Sequence, residues 1–239
     1  MPKKHVSAAS NALLARIPPN EFRRIASHLE PVTLGAGQVL FNRGMINHVY
    51  FPISGVISKT IRMDDRSSVE AGMVGKEGMV PLCLLMGLDA SPFEVVVQNR
   101  GEAVRMEAAT FNAIVRPGQM FHSVLLRFAA AFMAQVSQAA GCNQLHRLQK
   151  RYCRWLLMTH DRLEADEFIL RQETAAALLG VRRMSVTPVA QKLQRAGLIK
   201  YSRGQIEILD RPGLEATSCE CYRRIKDIYD TLLVRPFIS

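Results

Sequence analysis

Residues 170–211, LRQETAAALLGVRRMSVTPVAQKLQRAGLIKYSRGQIEILDR, constrain the fold of this chain more than any other stretch. An apolar-periodic segment from Gln172 to Leu179 stops at Gly180. A second begins near Arg183 and stops at Gly197. Glycine just past a helical pattern is a C-terminal stop, because it accepts a left-handed backbone. Two short helices joined by a three- or four-residue turn make a helix-turn-helix. A strand pair follows: Leu198 to Tyr201, a turn at Ser202-Arg203-Gly204, then Gln205 to Leu209, with Ile206 and Ile208 alternating with polar residues. Helix-turn-helix plus hairpin predicts a winged helix.

Charge points the same way. Arg182, Arg183, Lys192, Arg195, Lys200 and Arg203 are six basic residues in a stretch without an acidic one. A one-sign face suits phosphate, although an ordinary helical hairpin can also carry a solvated basic face. Of the formal net charge of +10, residues 140–239 carry 17 basic and 11 acidic side chains, a denser excess than in the longer N-terminal part. A polyanionic partner is the expectation. An inward stripe of Val186, Val189, Ala190 and Leu193 leaves Arg182, Arg183, Thr187, Gln191 and Lys192 for double-stranded DNA. Arg183 is the candidate base reader, since arginine pairs bidentately with guanine O6 and N7. Ser185, Lys192 and Arg203 are the candidate phosphate contacts. Pro188 adds a local expectation. A proline is costly inside a helix and harmless in its first turn. With Ser185 as N-cap, the second helix would begin near Met184 or Ser185.

Elsewhere the pattern divides. Residues 11–30 read as short helices, Asn11 leading one and Asn20 capping another. From Pro31 to Met106 short apolar runs (Val39-Leu40-Phe41, Val49-Tyr50-Phe51, Val56-Ile57-Ser58, Glu94 to Gln98, Ala103 to Met106) alternate with glycines. Such spacing predicts an antiparallel sandwich or barrel. Pro81 to Leu88 reads as a short helix in a loop. Helical period returns at Pro117, where Phe121, Val124, Leu125, Phe128 and Phe132 line one stripe. That stripe suits either a partner helix or the chain's own core. Gly141 should break the run. A further helix is expected over Asn143 to Leu163, a polar turn over Glu164 to Glu167, and a single helix from Gly213 to about Val234, stopped by Pro236. The fold class is α+β.

Cys83, Cys142, Cys153, Cys219 and Cys221 are odd in number and scattered, which suits a reducing compartment. Met1-Pro2-Lys3-Lys4 does not open a signal peptide, and no stretch approaches 18 uninterrupted apolar residues, so a soluble cytoplasmic protein away from membranes is expected. Cys219-Glu220-Cys221 has metal-like spacing, but positions i and i+2 of a continuous helix point apart, and no metal site is expected. His146 and His160 read as packing or surface residues. No nucleophile has a convincing base and no glycine-rich phosphate loop is present, so a non-enzymatic role is expected.

The order β-roll, long helix, winged helix resembles bacterial transcription regulators of the cyclic AMP receptor protein/FNR (Crp/Fnr) family. LRQETAAALLGVRRMSVTPVAQKLQRAGLI looks like that family's helix-turn-helix and YSRGQIEILDRPGLE like its wing. YFPISGVIS, VGKEGMV, RWLLMTHDR and CECY resemble a subgroup common in soil alpha-proteobacteria. The resemblance implies a cyclic-nucleotide-binding-like β-roll (jelly roll) over residues 1–116, a dimerisation helix over 117–140 and a winged-helix DNA-binding domain over 141–239. It implies a homodimer on a palindromic operator, with RNA polymerase and an unidentified small-molecule effector as further partners, and it assigns the Phe121–Phe132 stripe to the two-fold seam.

Three departures shape the expectations. The family's cyclic-nucleotide binders use a Gly-Glu-Leu segment and a later Arg-Ser pair; here the chain has Glu77-Gly78-Met79 and Ser91-Pro92. Without that arginine the bidentate phosphate contact is lost, which argues against a cyclic nucleotide. No cysteine precedes Cys83, which argues against an N-terminally ligated iron–sulfur cluster. Of the base-reading Arg-Glu-x-x-x-Arg pattern only Arg183 is kept, with Met184 and Pro188 at the other positions, so base preference should differ. Two alternatives stand beside the main reading: a β-roll regulator working through protein partners, whose winged helix no longer reads DNA, and a cyclic-nucleotide-gated regulator.

Overall fold

The computed structural model describes residues 8–65 and 67–234; the leading Met1-Pro2-Lys3-Lys4 and the Pro236 stop lie outside them. The chain divides into two compact units. One holds, of the described residues, those up to Lys59, Met73–Met133 and Tyr229 to residue 234. The other holds Thr60–Gly72 and Ala134–Ile228.

The first unit opens with two 3₁₀ turns and helix α1 (Pro19–Ala26). Asn11 anchors this start. It is fully buried, its Oδ1 accepts the amides of Leu13 and Leu14, and its Nδ2 donates to the carbonyls of Pro52 and Gly78 at 2.8 and 2.9 Å. Asn20 is not a cap: α1 begins at Pro19, whose missing N–H costs nothing in a first turn.

Seven strands follow in sequence among the described residues, β4 ending and β5 beginning in the stretch assigned to the second unit: β1 (Glu30–Leu34), β2 (Val39–Met45), β3 (His48–Pro52), β4 (Val56–Arg62), β5 (Ser68–Val74), β6 (Ala90–Asn99) and β7 (Gly101–Glu107). They form two sheets, β1-β7-β3 and β2-β6-β4-β5. Phe41, Val49, Phe51, Val56, Ile57, Met73, Val95, Val97, Val104 and Met106 fill the interior. Most of the apolar runs in the sequence therefore lie on strands, and Pro81 to Leu88 carries a 3₁₀ turn at Leu82–Met86. Helix α2 (Ala108–Ile114) leads to the long helix α3 (Met120–Leu145). The carboxylate of Glu21, remote in sequence, accepts the first amides of α3, from Met120 and Phe121 at 3.1 and 3.0 Å, where helix donors lack partners and the dipole favours an anion.

The Phe121–Phe132 stripe belongs to the chain's own core. Phe121, Val124, Leu125, Phe128 and Phe132 are all buried within the single chain. Phe121 packs against Phe51 and Phe111 with centroids 6.1 and 6.3 Å away, and Phe128 lies so close under Gly78 that a Cβ there would collide with its ring. These side chains are therefore not available for the seam with a second chain that the resemblance implied. Burying them internally satisfies the strongest apolar demand of the helix. Helix α3 is long and apolar enough to span a membrane by length and composition, and this buried stripe supplies much of its apolarity.

In the second unit α3 continues through Gly141 to Leu145. The break comes at His146-Arg147, and α4 (Leu148–Leu163) follows. A lone glycine lowers helix propensity by only about 1 kcal/mol, too little to interrupt a long helix held by packing. Helix α4 is buried without interruption from Tyr152 to Thr159 and forms the axis of this unit. Around it stand β8 (Glu167–Ile169), α5 (Gln172–Leu179), α6 (Arg183–Arg195), β9 (Ile199–Ser202), β10 (Gln205–Ile208), α7 (Arg211–Thr217) and α8 (Cys221–Tyr229), while the π-helical turn at Asp230–Val234 belongs to the first unit. Glu164 to Asp166 form the expected polar connection, and only Glu167 of that stretch joins β8, which pairs with β10 and makes the wing three-stranded. The single tail helix is two, broken at Ser218, whose extended backbone (ψ 178°) ends α7.

Candidate nucleic-acid interface

Helix α5 ends on Gly180, whose φ of +64° turns the chain into α6. Residue 180 is also tightly placed, since a Cβ there would stand 3.0 Å from Val69 Cγ2. Helix α6 begins at Arg183, with Arg182 at the N-cap in extended conformation and no side-chain cap. The helix thus starts a residue or two before the expected Met184 or Ser185, and Ser185 is the third helical residue instead of the cap. Pro188 falls inside the helix, beyond the first turn, so the Met184 carbonyl loses its usual amide donor there. Packing of Val186, Ala190 and Leu193, all buried, outweighs that cost and holds the helix in place.

Arg182 at the N-cap and Arg183, Ser185, Gln191 and Lys192 along α6 are exposed, and Arg203 is exposed on the wing. Arg203 and Gly204 have φ of +50° and +81°, the two positive values of a tight two-residue hairpin turn, which puts the Arg203 side chain at the wing tip. Val189 is half-buried. Thr187 departs from expectation. It is half-buried, and its hydroxyl donates to Gln172 Oε1 at 2.7 Å, tying α6 to the start of α5 rather than facing outward. Gln194 Oε1 accepts the Tyr201 amide at 2.8 Å and the Tyr201 hydroxyl donates to the Leu170 carbonyl at 2.8 Å, so helix, wing and β8 connector are held as one piece. Arg151 of α4 donates to the terminal carbonyl of α5 at Leu179.

Two participants escaped sequence reasoning. Glu173, in the first turn of α5, has its Oε1 2.7 Å from Arg183 Nη1. The acid-free run from Arg182 to Arg203 is thus not acid-free in space. Met184, noted in the sequence as a replaced position and a candidate helix start but not as a contact, is 84% exposed on the first turn of α6. Lys200 is paired across the wing with Glu207 at 3.3 Å. Arg182, Lys192, Arg195 and Arg203 have no ion-pair partner among the described residues.

The chain combines a β-sheet domain, a long helix and a three-stranded winged helix-turn-helix. Residues 150–217 match the Crp-like helix-turn-helix domain, and the fold of the chain is that of Crp/Fnr-family transcription regulators. Among solved structures it is similar to a putative Crp/Fnr-family transcriptional regulator from Eubacterium rectale (TM-score 0.66, 20% identity, covering 86% of this chain and 96% of that one). It is also similar to a Crp/Fnr-family regulator from Thermus thermophilus (TM-score 0.66, 19% identity, 79% and 98% covered) and to FixK2 from Bradyrhizobium japonicum (TM-score 0.66, 12% identity, 80% and 98% covered). No curated protein matches the chain.

Proposed function

We propose that this protein is a sequence-specific, DNA-binding transcription regulator that acts in the cytoplasm as a homodimer on a palindromic operator. The observation that carries this reading is the set of exposed residues at the start of and along α6, Arg182, Arg183, Ser185, Gln191 and Lys192, with Arg203 exposed on the adjoining wing. Arg183 and Met184 are the base-reading pair: arginine suits guanine O6 and N7, and an exposed methionine suits the thymine methyl group. Lys192, Ser185 and Arg203 hold phosphates and set the register. Residues 141–239 form the DNA-binding part and residues 1–116 the sensory part. RNA polymerase is a natural further partner.

The dimer seam lies on the outer face of α3. Leu126, Ala130, Met133, Ser137, Ala140 and Gln144 are exposed and follow a 4-3-4-3-4 spacing, the heptad pattern of a coiled-coil seam. Leu126 and Met133 are 49% and 64% exposed, high for large apolar side chains. Two such seams related by a two-fold axis would present the recognition helices to successive major grooves about one DNA turn apart.

The β-roll effector is not a cyclic nucleotide in this reading. Gly78 is packed under Phe128, Ser91 is buried with its hydroxyl donating to the Phe93 carbonyl, and the Glu77 carboxylate accepts the Gly75 amide. These groups are occupied by the fold.

The test is selection from a random double-stranded DNA pool by the purified full-length protein at near-physiological salt. A two-fold palindrome with half-sites about one turn apart supports the reading, and Arg183→Ala should then relax one symmetric position. Salt-sensitive binding without enrichment of any sequence overturns the specific-reader assignment. A thermal shift with cyclic AMP or cyclic GMP would overturn the effector assignment.

A further inference from the structure

Cys142, His146, Cys219 and Cys221 converge in the second unit, their ligand atoms all within 4.8 Å of one another. We propose that these four residues form a closed, structural metal site of Cys₃His type, which takes a tetrahedral d¹⁰ divalent cation, zinc above all.

The local folding explains the convergence. Cys142 lies on the last turns of α3 and His146 one turn later, its amide still bonded to the Cys142 carbonyl at 3.0 Å, so the two side chains share a face. Cys219 and Cys221 would diverge on a continuous helix. The break at Ser218 removes that objection: Cys219 lies in the connector between α7 and α8 and Cys221 is the first residue of α8, so the pair forms a short knuckle. The three cysteines are buried together and His146 is half-buried.

The distances suit a metal better than either a disulfide or loose packing. Cys142 Sγ to Cys219 Sγ is 3.5 Å, and Cys221 Sγ to His146 Nδ1 is 3.6 Å. Zinc with sulfur at about 2.3 Å and nitrogen at about 2.0 Å in tetrahedral geometry puts its ligand atoms about 3.5–3.8 Å apart. A disulfide would need the two sulfurs at about 2.05 Å.

The surroundings have the features of an outer shell. Nδ1 of His146 faces the thiols, while its Nε2 lies 3.4 Å from Glu220 Oε2. A carboxylate on the far nitrogen is the usual means of orienting a metal-bound imidazole. Gln138 Nε2 donates to Cys221 Sγ at 3.1 Å. Three thiolates and a neutral histidine around a divalent cation leave one net negative charge. Buried Arg154, whose Nε has no hydrogen-bond partner among the described residues, and Arg151 both lie within electrostatic reach of Cys142. With four protein ligands and no open position, the site is structural. It ties the end of α3 to the α7–α8 connector, within the unit that carries the helix-turn-helix.

The test uses the full-length protein purified under reducing, oxygen-free conditions, incubated with zinc and desalted. About one zinc per chain by mass spectrometric metal analysis is expected. Cobalt substitution should give thiolate-to-cobalt charge-transfer bands and intense visible d–d bands of a tetrahedral site. Cys142→Ser or Cys219→Ser should abolish stoichiometric retention, Cys83→Ser should leave it unchanged, and Glu220→Gln should weaken affinity about 10–100-fold. Reduced wild-type protein that retains no zinc and gives no cobalt bands overturns the proposal, as does a Cys142–Cys219 disulfide in protein never exposed to oxidant. The wild-type measurements decide the matter even if a cysteine variant fails to fold, and none of them depends on DNA binding.

Discussion

Arg183 Nη1 lies 2.7 Å from Glu173 Oε1, so the arginine proposed above as the base reader is held by an acid of the preceding helix. Both side chains are more than half exposed, and a surface pair of this kind contributes only about 0–1 kcal/mol to stability. Under the proposed function its larger effect is on DNA binding. Glu173→Gln should leave the unfolding midpoint nearly unchanged, raise affinity for duplex DNA and steepen the salt dependence, measured by fluorescence anisotropy over a salt series. Arg183→Ala should cost about 1–3 kcal/mol on the preferred site. Unchanged affinity in both variants would remove Arg183 from the interface.

Pro188 interrupts the hydrogen-bond ladder of α6 beyond its first turn. Its side chain is exposed, so Pro188→Ala leaves no cavity and restores a donor for the Met184 carbonyl. We expect stabilisation of about 1–3 kcal/mol in urea unfolding. A loss of stability would mean that the proline is fitted to its site by packing.

Gly180 combines a positive φ with Val69 Cγ2 standing 3.0 Å from where a Cβ would be. Gly180→Ala should therefore destabilise by roughly 1–2 kcal/mol, from the left-handed backbone and the displaced valine together. The same denaturation experiment reads it, and a neutral outcome would show that the turn can relax into a right-handed conformation.

The two faces of α3 can be separated by mutation. Met133→Glu, on the exposed face, should convert a dimer into a monomer in sedimentation velocity while the circular dichroism spectrum stays native. Phe128→Ala, on the buried face, should lower stability by about 3–5 kcal/mol. Dissociation by Phe128→Ala without loss of stability would return the seam to the buried stripe.

Much of the fold was legible because the local signals are strong. Gly180 and Gly197 after helical runs, and Ile206 and Ile208 alternating in the wing, mark the helix-turn-helix and hairpin from residue type alone. The apolar runs of the sandwich coincide with strands for the same reason. Boundaries set by small differences were less legible. The start of α6 is decided by the burial of Val186, Ala190 and Leu193 against a proline penalty, and the passage of α3 through Gly141 by packing along its whole length.

Periodicity, turn residues and charge within short windows were enough to dictate the α+β class, the order of elements and the exposed basic residues at the start of and along α6. What each face meets was settled in three dimensions. A helical stripe at 4-3-4 spacing is the same in sequence whether it covers the chain's own core or a second chain, and here Phe51, Gly78 and Phe111 claim it. The pairing of Glu173 with Arg183 and the meeting of Cys142 and His146 with Cys219 and Cys221 join residues far apart in sequence or across a turn. No periodicity encodes such meetings; they arise when packing brings separate helices together.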